Sequence, residues 1–330
     1  MQEVFKNVYT FPVVLPKSPL REINSYVILN GDRHILIDTG YNRPESEEAL
    51  LDGLKSLGLE PKDVDVVITH LHADHTGLVN IFADAGSKIY AGKVDGDLFN
   101  TMATGEYWNL LKSFITLYGI QEGEFVIEDN PGFNFKLSRP VKYEVLEIGS
   151  IFKVGDFNFE IVDLKGHTPG HIGLLDREKK ILFGADTILD PITPNITFWG
   201  NNHENILGTY MDTLRMIREW DLDYVFPSHR KIITNHIERI DTLIHHHYLR
   251  MQEILDSMEY DKEYTIRDLS SKITWKIKAD SWDDFPKPQK WFATGETMSH
   301  ADCLVHSGHL QVNDSDGTLM FKKLKDRVVE

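Results

Sequence analysis

The apolar residues of this chain come in short blocks, and each block ends in a polar cluster. Residues 35–37, 64–68, 157–162, 181–183 and 224–226 are runs of β-branched, aliphatic and aromatic side chains, with the length and composition of buried strands. They lead into Asp38-Thr39-Gly40, Thr69-His70, Gly166-His167, Gly184-Ala185-Asp186 and Pro227-Ser228-His229. Between them, residues 44–57 place Ala49, Leu50, Leu54 and Leu57 at helical spacing, and residues 205–220 do the same with Ile206, Tyr210, Leu214 and Ile217. Mixed strands and helices predict an α/β (α+β) layered fold, with its polar residues gathered at strand ends.

Two stretches depart from that rhythm. Residues 92–128 are partly helical in pattern and rich in aromatics (Tyr107, Trp108, Phe114, Tyr118), which reads as an insertion near a site. After His229 a long amphipathic helix is predicted over 236–258, and Thr265 is placed to cap a second helix running to Ser271. A further helix is expected over 297–305, stopping at Gly308, followed by a hairpin of 310–312 and 319–321 around Asp316-Gly317. That order is the order of a small winged-helix-like module. The expected division is a catalytic unit over 1–232 and a helical linker with the small module over 233–330, in keeping with about two units for 330 residues.

With 41% hydrophobic and 26% charged residues the composition is that of a soluble globular protein. No run approaches the roughly 18 apolar residues of a membrane span, so neither an anchor nor a signal peptide is expected. The single cysteine, Cys303, suits a reducing cytoplasm and leaves no internal disulfide. A net charge of −16 repels a polyanion at long range, which weighs against nucleic acid without excluding it.

The chemistry concentrates in Thr69-His70-Leu71-His72-Ala73-Asp74-His75-Thr76-Gly77, directly after an apolar strand. Two histidines at i and i+2 on extended chain project to one side and can reach one ion, while Asp74 and His75 turn away toward a second. Farther along come Gly166-His167-Thr168-Pro169-Gly170-His171, then Asp186, then His229, each after an apolar run, where ligands are commonly placed in layered α/β proteins. Five imidazoles and two carboxylates suit borderline ions such as zinc, without excluding iron or manganese.

These residues resemble the metallo-β-lactamase superfamily: His70, His72, Asp74 and His75 form its His-x-His-x-Asp-His signature, and His167, Asp186 and His229 follow in order. Asp38-Thr39-Gly40 resembles that family's early strand-end motif, and the tail is similar to the extension of its glyoxalase-II-like and lactamase-B-like branch. The resemblance implies a four-layer αββα sandwich with two divalent metal ions, zinc first among the candidates. His70, His72 and His167 would hold one ion, Asp74, His75 and His229 the other, and Asp186 would bridge them. Asp74 is then also the candidate catalytic residue, orienting a metal-bridging hydroxide and accepting its proton. The expected activity is hydrolysis of an ester, thioester or lactone of a small molecule; endoribonuclease activity is the alternative, and iron-dependent oxygen chemistry ranks third.

Other residues have simpler readings. His171 is expected to orient a ligand rather than bind metal, and Asp38 to hold backbone N–H groups. Consecutive His245, His246 and His247 point about 100° apart on a helix and are read as helix surface; His34, His236, His300, His306 and His309 are read as packing or surface. Tyr107, Trp108, Phe198, Trp199 and His203 fit a pocket wall or the core equally. Residues 231–330 hold 14 Lys and Arg against 17 Asp and Glu, a net of −3, and the helix expected over 297–305 lacks cations. A groove-reading helix would carry them, so this tail is expected to pack on the sandwich or to form a homodimer interface.

Overall fold

The computed structural model describes residues 1–31, 33–203 and 205–329. The first sheet holds seven strands in chain order: β1 (Gln2–Phe5), β2 (Val8–Val14), β3 (Glu22–Ile28), β4 (His34–Ile37), β5 (Val64–Ile68), β6 (Ile89–Ala91) and β7 (Glu144–Val145). The first four pair antiparallel and the last four parallel. Parallel neighbours require crossovers, which α1 (Pro44–Ser56), α2 (Ala73–Thr76) and α3 (Val79–Asp84) supply around β5. The crossover from β6 to β7 carries α4 (Lys93–Thr104), α5 (Glu106–Leu117) and α6 (Pro131–Phe135). This is the aromatic-rich stretch singled out in the sequence.

The second sheet consists of β8 (Ile151–Val154), β9 (Phe157–Asp163), β10 (Ile172–Asp176), β11 (Ile181–Ala185) and β12 (Tyr224–Pro227), in the order β12-β11-β10-β9-β8. Its one parallel pair, β11 with β12, is bridged by α7 (Ile206–Arg218). Alternation along the strands sorts the apolar residues into layers. In β4, Ile35 and Ile37 join Phe159 and Phe183 of the second sheet, while Leu36 joins Leu50 and Leu54 of α1. All five residues of β5 are buried, as expected of a strand covered on both faces. The result is helices, sheet, sheet, helices, the αββα layering expected.

Local chemistry fixes the helix ends. Pro44 opens α1, with Glu45 and Glu47 in its first turn and Lys55 in its last, each complementing the helix dipole. Thr265 caps α9 (Ile266–Lys272) by accepting from the Asp268 N–H, and Asp268 returns the bond.

The tail comprises α8 (His236–Asp256), β13 (Glu263–Tyr264), α9, α10 (Lys287–His306), β14 (Leu310–Ser315) and β15 (Thr318–Lys323). The three strands pair in the order β13-β15-β14, with the predicted hairpin in place. Two expectations need correction. The last helix starts at Lys287, ten residues before the predicted 297, with Pro288 in its first turn. It is buried around most of its girth, from Lys290 and Ala293 to Ala301 and Leu304, and such a helix shows no apolar stripe to read. His247 is fully buried, not on the helix surface: its Nδ1 lies 3.0 Å from Nε2 of His300, because α8 packs against α10 and α7. Among the described residues no helix is long and apolar enough to cross a membrane.

Candidate metal centre

The seven residues marked in the sequence converge on one rim of the sandwich. β5 delivers His70 at its C-terminal end, and the following turn places His72 before α2, with Asp74 and His75 inside it. Parallel pairing sets Leu182 beside Val225 and Phe183 beside Phe226, so Asp186 and His229, just beyond β11 and β12, emerge together. The loop from β9 to β10 carries His167 to the same place. Three donor groups result, each with its ligand atoms within 4.8 Å of one another: His70, His72 and His167; His70, His75 and Asp186; Asp74, His75 and His229.

Distances show how tightly they meet. His72 Nδ1 lies 3.1 Å from His70 Nε2 and 2.9 Å from His167 Nε2. Asp186 Oδ2 is central, 3.7 Å from His75 Nε2, 3.6 Å from His167 Nε2 and 3.6 Å from His229 Nε2. Asp74 Oδ2 sits 3.3 Å from His229 Nε2 and 3.8 Å from His75 Nε2.

The far side of four rings decides which nitrogen faces inward. His167 Nδ1 and His229 Nδ1 donate to the carbonyls of Asn195 (2.9 Å) and Glu22 (2.8 Å), and His75 Nδ1 donates to Asp38 (2.8 Å). The Thr69 hydroxyl donates to Asp38, which leaves its oxygen to accept from His70 Nδ1 (3.1 Å). Each of these four rings therefore turns Nε2 to the centre, a tautomer set by its partner on the far side. Asp38 holds its own pose by also accepting from the Thr69 N–H (2.9 Å), from a backbone at φ 59°, a left-handed conformation that Asp tolerates better than most residues.

Nε2 of His75, Nε2 of His229 and Oδ1 of Asp186 are buried and have no hydrogen-bond partner. Orphaned buried donors and acceptors are costly, and a cluster of nitrogen and carboxylate oxygen atoms aimed at one point is what a divalent cation satisfies. The residues present thus fit a metal site. Burial foremost, then the neighbouring imidazoles, lower His70 and hold His72 at about 3, so both are neutral as ligation requires. Burial opposes charge on His75, but the carboxylates of Asp38, Asp74 and Asp186 outweigh it and raise its pKa. Burial likewise disfavours the Asp74 carboxylate, yet His75 and His229 hold it at about 2. Burial opposes charge on His229 too, and Asp186 and Asp74 outweigh it and raise its pKa; a cation would compete with a proton at both rings.

His171 belongs to none of the three groups; its ring stacks on His70 at 4.7 Å and 21°. The sequence reading missed Asp95 and Asn195. Buried Asp95, in the first turn of α4, accepts from the Leu71 N–H (3.0 Å), the Gly170 N–H (2.7 Å) and the Thr168 hydroxyl (2.5 Å). It ties the loop of His70 and His72 to the loop of His167. Its only sequence signal is an acid at a helix start, which is common. Asn24 and Tyr26 brace the third loop, both donating to the Pro227 carbonyl (3.2 and 2.7 Å).

The centre opens into a cavity of about 1490 Å³. His72, Asp74, His167 and Asp186 line its metal-centre end; Tyr107, Trp108, Phe198 and Trp199 form a wall, and Trp275 and Trp291 of the tail line it as well. The four aromatics in that first wall are buried and line the cavity as well, so both sequence readings hold. His203 is not among the lining residues.

Layering and donor set together define a metal-dependent hydrolase of the αββα class. The sequence profile described as "Metallo-beta-lactamase superfamily" matches residues 19–229, and the chain belongs to that superfamily. It is 23% identical over 316 residues to the protein named "Probable metallo-hydrolase YqjP" of Bacillus subtilis, covering 90% of this chain and 92% of that one. It is 26% identical over 260 residues to the "Beta-lactamase-like protein 2 homolog" of Caenorhabditis elegans, covering 77% and 71%. An Aspergillus fumigatus protein named "Atrochrysone carboxyl ACP thioesterase" is 22% identical over 76% of this chain and 48% of its own length. The crystal structure of a metallo-beta-lactamase family protein from Thermus thermophilus superposes over 98% of this chain and 100% of that one, with a TM-score of 0.83 at 22% identity. The fold it shares thus extends through the tail.

Proposed function

We propose that this protein is a dinuclear metal-dependent hydrolase that cleaves an ester, thioester or lactone carrying a bulky apolar acyl group. The observation that carries this reading is the aromatic-walled cavity standing on the seven-residue donor set. Small-molecule sites combine apolar walls with a few convergent polar groups, and here His72, Asp74, His167 and Asp186 converge beside the wall of Tyr107, Trp108, Phe198 and Trp199. The thioesterase name of the fungal relative favours the thioester.

His70, His72 and His167 would hold one cation, Asp74, His75 and His229 a second, with Asp186 between them. When bound, such ions lower the pKa of an intervening water and polarise a carbonyl oxygen; zinc is the first choice, with iron and manganese as alternatives. Asp74, whose carboxylate lines the cavity beside His75 and His229, would accept the proton of the attacking water. Trp199, whose ring lies 5.9 Å from that of His72, keeps bulk water from the acyl side, and the wall of Tyr107, Trp108 and Phe198 orients the acyl group. Asp95 and Asp38 hold the ligand loops still.

The test is hydrolysis of acyl thioesters and aryl esters of graded chain length by zinc-, manganese- or iron-loaded protein, with Asp74→Ala as the blank. Expected is turnover that rises with acyl length and vanishes in the variant. Cleavage of single-stranded RNA, with no ester or thioester turned over, would replace this reading with endoribonuclease activity.

A further inference from the structure

The tail does more than close the cavity. His167 is oriented by the backbone carbonyl of Asn195, and residues 192–200 contain no helix or strand. Such a carbonyl is only as well placed as the contacts that hold its loop: Arg239 of α8 donates to the Ile192 carbonyl at 2.8 Å, and the contacts at Asn195 and beyond come from α10. The Asn195 side chain donates from Nδ2 to Glu296 Oε2 at 2.8 Å and, at the longer distance of 3.4 Å, to the Phe292 carbonyl. One turn on, the Ser299 hydroxyl donates to the Ile196 carbonyl at 2.5 Å, and the Phe198 N–H donates to the Gly295 carbonyl at 3.3 Å. Glu296 is itself fixed: Arg250 of α8 lies 3.9 Å from its Oε1, stacks on Trp275 at 4.3 Å, and donates to the Thr274 carbonyl and to Glu253 at 2.6 Å.

We propose that Glu296 is a positioning residue for His167, acting through Asn195, so that the C-terminal helix sets the geometry of the cation held by His70, His72 and His167. This rests on the reading of those three histidines as metal ligands. Groups that orient a ligating histidine typically change metal affinity 10- to 100-fold when removed. Glu296 acts one step farther out, with the loop's other tethers remaining, so a loss of about tenfold is expected.

The experiment uses the full chain loaded with cobalt(II), read by its visible absorption and by chelator competition, with thermal unfolding as the check on folding. Glu296→Ala should weaken one of two cobalt sites about tenfold and alter its absorption, leaving the other unchanged. Glu296→Gln, whose amide oxygen can accept the same bond, should restore both. Asn195→Ala keeps the carbonyl but loses both side-chain bonds, so it should bind at least as weakly as Glu296→Ala, and the double variant should be no weaker than Asn195→Ala alone. Unchanged cobalt binding in Glu296→Ala, or additive losses in the double variant, would overturn the proposal while leaving the proposed function standing. A wild-type chain that binds no cobalt would overturn both.

Discussion

Asp95→Asn tests how the loops of His70, His72 and His167 are held. The carboxylate takes the Gly170 N–H on Oδ1, and the Leu71 N–H and Thr168 hydroxyl on Oδ2. An asparagine of the same shape keeps one acceptor oxygen, so one backbone N–H must face an NH2 group. A buried donor left without its acceptor costs about 1–3 kcal/mol, and with the weakened second bond the variant should lose about 2–4 kcal/mol at neutral pH. The pH dependence adds a sharper check. Burial dominates the three donors and pushes Asp95 up to about 7, whereas in the unfolded chain it titrates near 3.8. A raised folded pKa means that the native state holds the proton longer, so this contribution is complete below pH 4 and is lost as pH rises to 7. From pH 5 to pH 8 the wild type should therefore lose about 3 kcal/mol relative to Asp95→Asn, other groups titrating in both proteins. Urea unfolding at the two pH values measures the difference. A stability gap that widens with pH would mean that the ionised carboxylate is the stabilising form and would refute the assignment to burial.

The remaining predictions concern the donor set, wall and loops of the site. Gly170→Ala would put a Cβ 2.5 Å from the Asp95 nitrogen and 2.6 Å from its Oδ1; overpacking of this kind costs about 1–3 kcal/mol, and calorimetry should show the loss together with weaker metal binding. Asp74→Ala should abolish turnover while unfolding stays cooperative; retained activity would remove Asp74 from the reaction. Stripping metal with dipicolinate should lower Tm by about 3–8 °C, because a ligand at 100 times its Kd adds about 2.7 kcal/mol to stability, and zinc should restore it. Trp199→Ala widens the cavity beside His72, so KM should fall for bulkier acyl groups relative to small ones; an unchanged chain-length profile would take Trp199 out of the substrate wall.

What the sequence discloses here is what is local. His70, His72, Asp74 and His75 fall within six consecutive residues just after a buried strand, and that strand shows itself because both its faces are covered. Asp186 and His229 are legible for the same reason: a strand that points its C-terminal end at a site announces the residues that follow it. Asp95 and Glu296 are hidden because their meaning is set by partners 75 and 101 residues away, and an isolated acid on a helix has no pattern. The start of α10 escapes for a different reason. Periodicity reports the contrast between a covered and an uncovered face, and Lys290, Thr294, Thr297 and His300 are buried alongside Ala293 and Met298. His247 follows from the same packing, since three adjacent histidines diverge on any helix, and only the approach of α10 puts one of them inside.

That burial also bears on what the tail is for. A helix that reads a nucleic-acid groove must leave one face of cationic side chains open to the ligand. In α10 the residues from 293 to 304 are spent almost entirely on the core, on the loop that carries Asn195 and on the cavity wall. Together with α8 it covers Leu207, Tyr210 and Leu214 of α7, which would otherwise face water. Uncovering several fully buried side chains costs about 1.5–3 kcal/mol each, comparable in sum with the whole stability of a domain. Removing residues 233–330 should therefore give an aggregating chain rather than a trimmed enzyme, and chain-length selectivity should respond to substitutions at Trp275 and Trp291 as it does to those at Trp199. A tail that instead detached cleanly, leaving a folded and equally selective core, would contradict the continuous packing on which the cavity rests.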